Sequence, residues 1–295
     1  MTPMVDTALE TLLRRDRVIV AVALLALTGV TWLYILWLAT GMDAMAVMPP
    51  SGDGMSGVMT MDMGAGDDMG MDMSPGAMVS MADVNLRPWS ASTFAYAFVM
   101  WAMMMVGMMT PSATPMILLY AHVGRQAALD DKPFAATGFF AGGYLCAWIL
   151  FALAATLGQW LLEAALLLTP MLASASRILS SVILISIGLF QWTPLKDACL
   201  RQCQAPLMFI QNHGGFRRDA GGAYRLGLLH GLYCVGCCWA LMALLFIGGV
   251  MNVLWIAAIA IFVLAEKVVP GGRILSRIAG ALIVMAGLWQ LAAMT

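Results

Sequence analysis

Three cysteines and a histidine stand close together in one apolar stretch. The segment reads HGLYCVGCCW over residues 230–239. Positions three and four apart share one side of an α-helix, so a helix here would align His230, Cys234, Cys237 and Cys238, with Met242 continuing the stripe. Thiols in an apolar span are costly to ionise unless a cation neutralises them. The pattern predicts a soft-metal site and favours Cu(I).

Two other interpretations of these cysteines stay open. Cys234 and Cys237 form a Cys-x-x-Cys pair, and such a pair can cycle between dithiol and disulfide. Helical spacing alone does not exclude that bond. Cysteine is also a small apolar side chain that packs well in a core.

A second pair of cysteines, Cys199 and Cys203, follows a predicted span by a few residues. They are one helical turn apart, and Lys196 and Arg201 would favour their thiolate forms. Two thiolates at this spacing could hold Cu(I) linearly on the cytoplasmic side. The alternative is a reduced pair with no role.

Methionines crowd the second predicted span. Met100, Met104 and Met108 share one helical stripe, which suits either soft-metal binding or ordinary packing. Pro111 and Pro115 lie in the same span, so we expect the helix to be kinked or broken there. A break would free backbone carbonyls and make room for a site in the membrane.

A polar segment rich in Met, Asp and Gly precedes that span. It holds twelve of the chain's 27 methionines, and its densest part contains Met61, Met63, Met69, Met71 and Met73. Thioethers bind Cu(I) without deprotonation, and the interleaved carboxylates would attract a cation. We expect the segment to be disordered without metal and to capture copper. A plain linker and a scavenger of oxidants are the alternatives.

Composition indicates the elements that must position these residues. The chain of 295 residues is 62% hydrophobic and only 11% charged, too little charge for a water-facing surface of this size. Long apolar stretches predict an all-α bundle in the lipid bilayer, with seven spans near residues 18–40, 92–121, 136–160, 176–192, 224–248, 251–267 and 273–293. There is no basic stripe for nucleic acid and no P-loop for a nucleotide.

The placement of Lys and Arg predicts the topology. With the N-terminus in the cytoplasm, 13 of the 15 basic residues are cytoplasmic and only Arg87 and Arg177 are outside. The expected parts are a cytoplasmic N-terminus with the first span (1–40), a periplasmic methionine segment (41–91) and a six-helix metal-binding domain (92–295) in the bacterial inner membrane, with the C-terminus periplasmic. Glu266 and Lys267 end the sixth span, where we expect a snorkelling pair or a helix-locking ion pair.

These residues carry a family resemblance. The chain resembles a bacterial family of predicted metal-binding integral membrane proteins, a domain of unknown function, over residues 92–295. The resemblance rests on residues 101–111, on QWTPLK at 191–196 with Cys199 and Cys203, on residues 230–242, on GVMN at 249–252 with Trp255, and on Glu266-Lys267. It implies a membrane protein that binds metal and leaves the mechanism open.

The leading hypothesis is Cu(I) handling without enzymatic activity, in uptake, delivery or homeostasis. Copper would pass from the methionine segment to the membrane cysteines and then to Cys199 and Cys203, with a periplasmic copper chaperone or a membrane copper enzyme as partner. A transmembrane thiol–disulfide carrier is the second hypothesis. A structural or assembly subunit that binds metal incidentally is the third.

Overall fold

The computed structural model describes residues 20–40, 89–129, 137–165, 177–216, 219–250 and 252–293. Its regular elements are all α-helical, so the all-α prediction is confirmed for this part of the chain. In chain order the helices are α1 (Val20–Thr40), α2 (Ala91–Leu129), α3 (Thr137–Ala164), α4 (Arg177–Phe190), α5 (Pro194–Gln204), α6 (Pro206–Asn212), α7 (Ala220–Ala243), α8 (Leu245–Gly248), α9 (Val253–Val268) and α10 (Gly272–Ala292).

Five stretches are long and apolar enough to cross a membrane: α1, α2, α3, α7 with α8, and α10. The expected count of seven is not confirmed, because two predicted spans are short. Helix α4 has 14 residues and α9 has 16. At 1.5 Å per residue they reach about 21 and about 24 Å, against about 30 Å of bilayer hydrocarbon. After α4 the chain bends by 62° into α5.

Polar and apolar side chains are arranged as a lipid environment requires. Large apolar side chains face outward, with Leu254 83% and Trp289 79% exposed. Gln159, Lys196 and Glu266 are buried instead. Charged groups inside a membrane domain are costly and turn toward its interior. The surface therefore supports the interpretation as a membrane protein.

We expected α2 to be kinked or broken at Pro111 and Pro115, and the helix runs through both without a break. Each proline removes one backbone donor, yet nearby hydroxyls bond to carbonyls in the same turns. Thr110 Oγ1 donates to the Val106 carbonyl at 2.6 Å, and Thr114 Oγ1 donates to the Thr110 carbonyl at 3.0 Å. These hydroxyls add donors in the turns where the prolines remove them.

Helices α3 and α7 approach closely through glycines. A Cβ added at Gly227 would overlap the Phe140 carbonyl, and one at Gly143 would overlap the Tyr224 carbonyl. One turn further along α7, a Cβ at Gly231 would lie 2.5 Å from Ala147 Cβ. Small residues at this spacing let membrane helices pack backbone to backbone. This contact brings the side chains of α3 up to the cysteines of α7.

Candidate metal centre

Helix α5 carries the second cysteine pair back against α7. It begins at Pro194, where the Thr193 side chain accepts a hydrogen bond from the Lys196 backbone amide. From α5, the Cys203 sulfur reaches to 4.0 Å from the Cys237 sulfur of α7. Cys199 lies against Gly236, where an added Cβ would be 2.9 Å from the Cys199 sulfur. The two sequence motifs therefore meet in one place, whereas we expected two separate sites.

The thiols of Cys203, Cys234, Cys237 and Cys238 form what we call the thiol cluster. The Cys237 and Cys238 sulfurs are 3.2 Å apart, and the Cys237 thiol donates to the Cys234 carbonyl at 3.1 Å. The thiols of Cys203 and Cys238 also interact with that of Cys234. The three cysteines of α7 are buried and Cys203 is half-buried, and all four are free thiols.

A ring of polar contacts surrounds Cys234. The Lys267 ammonium of α9 donates to the Cys234 sulfur at 2.8 Å and to the Ser112 hydroxyl of α2 at 3.0 Å. The Tyr144 hydroxyl of α3 lies 3.2 Å from the same sulfur and donates to the Met109 carbonyl at 3.1 Å. The Ser112 hydroxyl donates to that carbonyl too, at 2.9 Å. Four helices thus meet at one thiol.

Glu266 and Lys267 do not form the expected snorkelling pair. Both are buried, at 1% and 8% exposure, and they bind different helices. The Glu266 carboxylate accepts hydrogen bonds from the Lys196 ammonium at 2.9 and 3.1 Å, and that ammonium also donates to Gln191. Lys196 therefore serves a buried ion pair and does not point its charge at Cys199 as its position in the sequence suggested. A buried charge is stable only when paired in this way.

His230 lies beside the cluster in an aromatic pocket. Its ring centroid is 5.0 Å from that of Phe209 and 5.8 Å from that of Tyr144. The imidazole is buried, and its Nδ1 atom has no hydrogen-bond partner. At the other end of the stripe Met242 is also buried, one turn beyond Cys238. An unpaired nitrogen is unusual for a buried imidazole.

The methionine stripe of α2 faces the interior. Met100, Met104 and Met108 are all buried, at 5%, 2% and 1% exposure. Next to the stripe, the Trp101 indole donates to Gln159 at 2.7 Å, and Gln159 donates to Glu163 at 2.8 Å. The Glu163 carboxylate also accepts from the Trp89 indole at 2.8 Å. Met61, Met63, Met69, Met71 and Met73 lie outside the described residues.

The spacing of the sulfurs can be compared with that of metal-bound thiolates. A metal–sulfur bond is about 2.3 Å, so two sulfurs on one ion are at most about 4.6 Å apart. The Cys203–Cys237 separation of 4.0 Å falls within that limit. Among the described residues no three His, Cys, Asp or Glu side chains form a ready-made metal site. The cluster thus contains a pair of sulfurs from different helices that are close enough to share one ion.

Three residues, Tyr144, Ser112 and Lys267, were not predicted to belong to this site. Tyr144 and Ser112 carry no spacing signal, because their contact with Cys234 and Lys267 depends on how separate helices pack. Lys267 was recognisable only as a charge at the end of an apolar run. A charge within membrane helices is in itself an indication of function, and that was the available signal.

Comparison with known proteins adds a family. No curated protein and no solved structure matches the chain significantly. A family model does match, over residues 98–290, which include the methionine stripe, Tyr144, the thiol cluster and Lys267. The match lies within residues 92–295, for which the sequence resembled a metal-binding membrane family. It spans well over half of the chain, and the protein therefore belongs to the copper-chaperone family PpoB2.

Proposed function

We propose that this protein binds Cu(I) as cargo at the thiol cluster and passes it on at a membrane. The observation that carries the proposal is the 4.0 Å separation of the Cys203 and Cys237 sulfurs, which come from different helices. Membership of the copper-chaperone family gives the chain a copper-related function. The cluster supplies the thiolates that such a function needs, since soft sulfur ligands select Cu(I).

The helices around the cluster suggest a route for the ion. The buried Met100, Met104 and Met108 lead along α2 toward Met109 and Ser112, which border the ring at Cys234. Thioethers hold Cu(I) more weakly than thiolates do, so a path from methionine to cysteine runs toward tighter binding. We propose that copper follows this path from the methionine segment at residues 41–91 and leaves by way of Cys203.

The rest of the proposal concerns location and partners. Lys196 and Lys267 are buried in the bundle, and of the other 13 basic residues 11 would be cytoplasmic and 2 outside. This split supports seven spans in a bacterial inner membrane, with the N-terminus cytoplasmic and transfer directed inward. Under this topology the methionine segment collects periplasmic copper. A periplasmic copper chaperone would supply the ion, or a membrane copper enzyme would receive it.

Copper content of the purified full-length protein tests the site. We expect Cu(I) bound under reducing conditions, with most of it lost in the double variant Cys203→Ser/Cys237→Ser. Cys146→Ser is the matched control, because Cys146 of α3 interacts with Tyr224 and has no contact with the described thiol cluster. Equal copper in the double variant and the control would refute the proposal.

Transport of radioactive copper tests the route. Cells that contain the protein should accumulate more copper than cells without it. Replacing Met100, Met104 and Met108 together by Leu should reduce that accumulation while the purified variant still binds copper through its thiols. Lower intracellular copper in the presence of the protein would reverse the proposed direction.

The same distance favours a second function, thiol–disulfide exchange. Cys203 and Cys237 need to approach from 4.0 Å to bond, and they lie on different helices. Their oxidation to a disulfide would be balanced by reduction of a partner's disulfide to two thiols. This function predicts activity in metal-free protein and no requirement for the methionines. A reversible Cys203–Cys237 disulfide that still forms in cells after the methionine replacement would favour this second function.

A further inference from the structure

Lys267 places a fixed positive charge against the thiol cluster. Its ammonium is 2.8 Å from the Cys234 sulfur and 3.0 Å from the Ser112 oxygen. The neighbouring carboxylate, Glu266, is bound to Lys196 and so does not balance this charge. Both lysines and Glu266 are buried. The Lys196–Glu266 pair is neutral as a unit, so the groups that the Lys267 ammonium contacts are the Cys234 sulfur and the Ser112 hydroxyl, and neither is a carboxylate.

The positive charge of Lys267 acts more strongly on a divalent ion than on a monovalent ion. At a given distance, its repulsion of a divalent cation is twice its repulsion of a monovalent cation. An uncompensated charge is costly in a buried, low-dielectric site. The arrangement therefore penalises divalent ions.

Lys267 also occupies one of the four thiols. A cluster of four free cysteines would suit Zn²⁺, which takes four ligands in structural sites. Here the Cys234 sulfur accepts the Lys267 hydrogen bond and contacts the Tyr144 hydroxyl at 3.2 Å. That leaves three thiols, those of Cys203, Cys237 and Cys238, which is one fewer than a four-ligand zinc site takes. Charge and ligand number thus act in the same direction.

We infer that Lys267 is the specificity residue of the site and selects a monovalent soft cation, Cu(I) or Ag(I), over divalent ions such as Zn²⁺ and Cd²⁺. The inference rests on the proposed function, because it takes Cys203 and Cys237 as the ligands. It adds a reason for selectivity that ligand softness alone does not supply, since Zn²⁺ and Cd²⁺ also bind thiolates.

The test compares two probe ions on the reduced, full-length protein in detergent. Ag(I) stands in for Cu(I), and Cd(II) represents divalent ions through its ultraviolet thiolate absorption. The ratio of the two dissociation constants is measured for the wild type, Lys267→Met, Lys267→Gln and Lys267→Arg. Met keeps the length of the side chain and Gln keeps a hydrogen-bond donor, so two neutral variants with different packing are available.

We expect the neutral variants to shift the ratio toward Cd(II) by roughly 10- to 100-fold, as removal of one unit charge a few ångströms away implies. Lys267→Arg should keep the preference of the wild type. An unchanged ratio in a neutral variant that still binds Ag(I) would overturn the inference.

Failure of the proposed function gives a different result. In that case Cys203→Ser/Cys237→Ser would bind Ag(I) as tightly as the Cys146→Ser control does. The two results are independent, because one concerns whether these thiols bind the ion and the other concerns which ion they prefer.

Discussion

The Lys267 ammonium lies 2.8 Å from the Cys234 sulfur, and this contact joins the last turn of α9 to the middle of α7. Ser112 of α2 and Tyr144 of α3 complete the surroundings of the pair. A buried ammonium needs acceptors for its donors, and here a thiol supplies one of them. The contact therefore stabilises the bundle as well as shaping the site.

Replacing Cys234 should reveal that stabilising role. Cys234→Ala removes an acceptor from Lys267, and we expect a loss of about 1–3 kcal/mol in the free energy of unfolding. Cys234→Ser keeps an atom that accepts from Lys267, so its loss should be smaller. Chemical unfolding in mixed micelles would measure both, with Cys146→Ala as the control. Equal losses for Ala and Ser would show that the hydrogen bond contributes little.

The Lys196–Glu266 pair should be strongly coupled. Lys196→Met leaves the Glu266 carboxylate buried without its cation, at an expected cost of about 3–5 kcal/mol. The double variant Lys196→Met/Glu266→Met removes both charges and should recover at least half of that loss. The pair of exposed Arg277 and half-buried Asp197, 3.3 Å apart, provides a control. Arg277→Ala should change stability by no more than about 1 kcal/mol. If the two single-variant losses simply add in the double variant, Lys196 and Glu266 are not coupled.

Gly236 should control how closely α5 approaches α7. An added Cβ would lie 2.9 Å from the Cys199 sulfur, so Gly236→Ala should push α5 outward and lengthen the Cys203–Cys237 distance. We expect weaker copper binding and a loss of about 1–3 kcal/mol in stability from overpacking. Gly142→Ala is the matched control, because nothing lies within 4 Å of an added Cβ there. Equal copper retention in Gly236→Ala and Gly142→Ala would count against a close contact between Gly236 and Cys199.

Oxidative cross-linking would measure the sulfur geometry directly. A protein whose only cysteines are Cys203 and Cys237 should form a disulfide readily under mild diamide treatment, because the 4.0 Å gap closes with a small movement. A protein that keeps only Cys199 and Cys203 should react more slowly, since Cys199 faces Gly236. Mass spectrometry of the digested protein identifies the bond. Prior addition of Ag(I) should slow the oxidation of the Cys203/Cys237 protein. Faster oxidation of the Cys199/Cys203 protein would contradict the position of α5 against α7.

The sequence was sufficient to predict the features that depend on local pattern. Apolar length predicted the helices α1, α2, α3 and α7, and helical spacing placed Cys234, Cys237 and Cys238 on one buried stripe. These predictions succeed because periodicity and hydropathy are properties of neighbouring residues. The same holds for the buried face of Met100, Met104 and Met108.

Features that depend on how helices pack were not predictable in the same way. The approach of Cys203 to Cys237 follows from the 62° bend after α4, which composition does not indicate. Lys267 was expected at the membrane interface because long basic side chains usually snorkel, yet it turns inward to Cys234. Pro111 and Pro115 were expected to kink or break α2, and the helix runs through both without a break.

The adjacency of Glu266 and Lys267 has a mechanical consequence. Successive residues of a helix point about 100° apart, so one turn of α9 grips α5 through Lys196 and α7 through Cys234 on two of its sides. A small rotation of α9 that weakens the Glu266–Lys196 contact changes the Lys267–Cys234 contact at the same time. The helices that carry Cys203 and Cys237, α5 and α7, are therefore mechanically coupled through α9, which contributes no sulfur. An ion that moves α5 and α7 apart must also rotate α9.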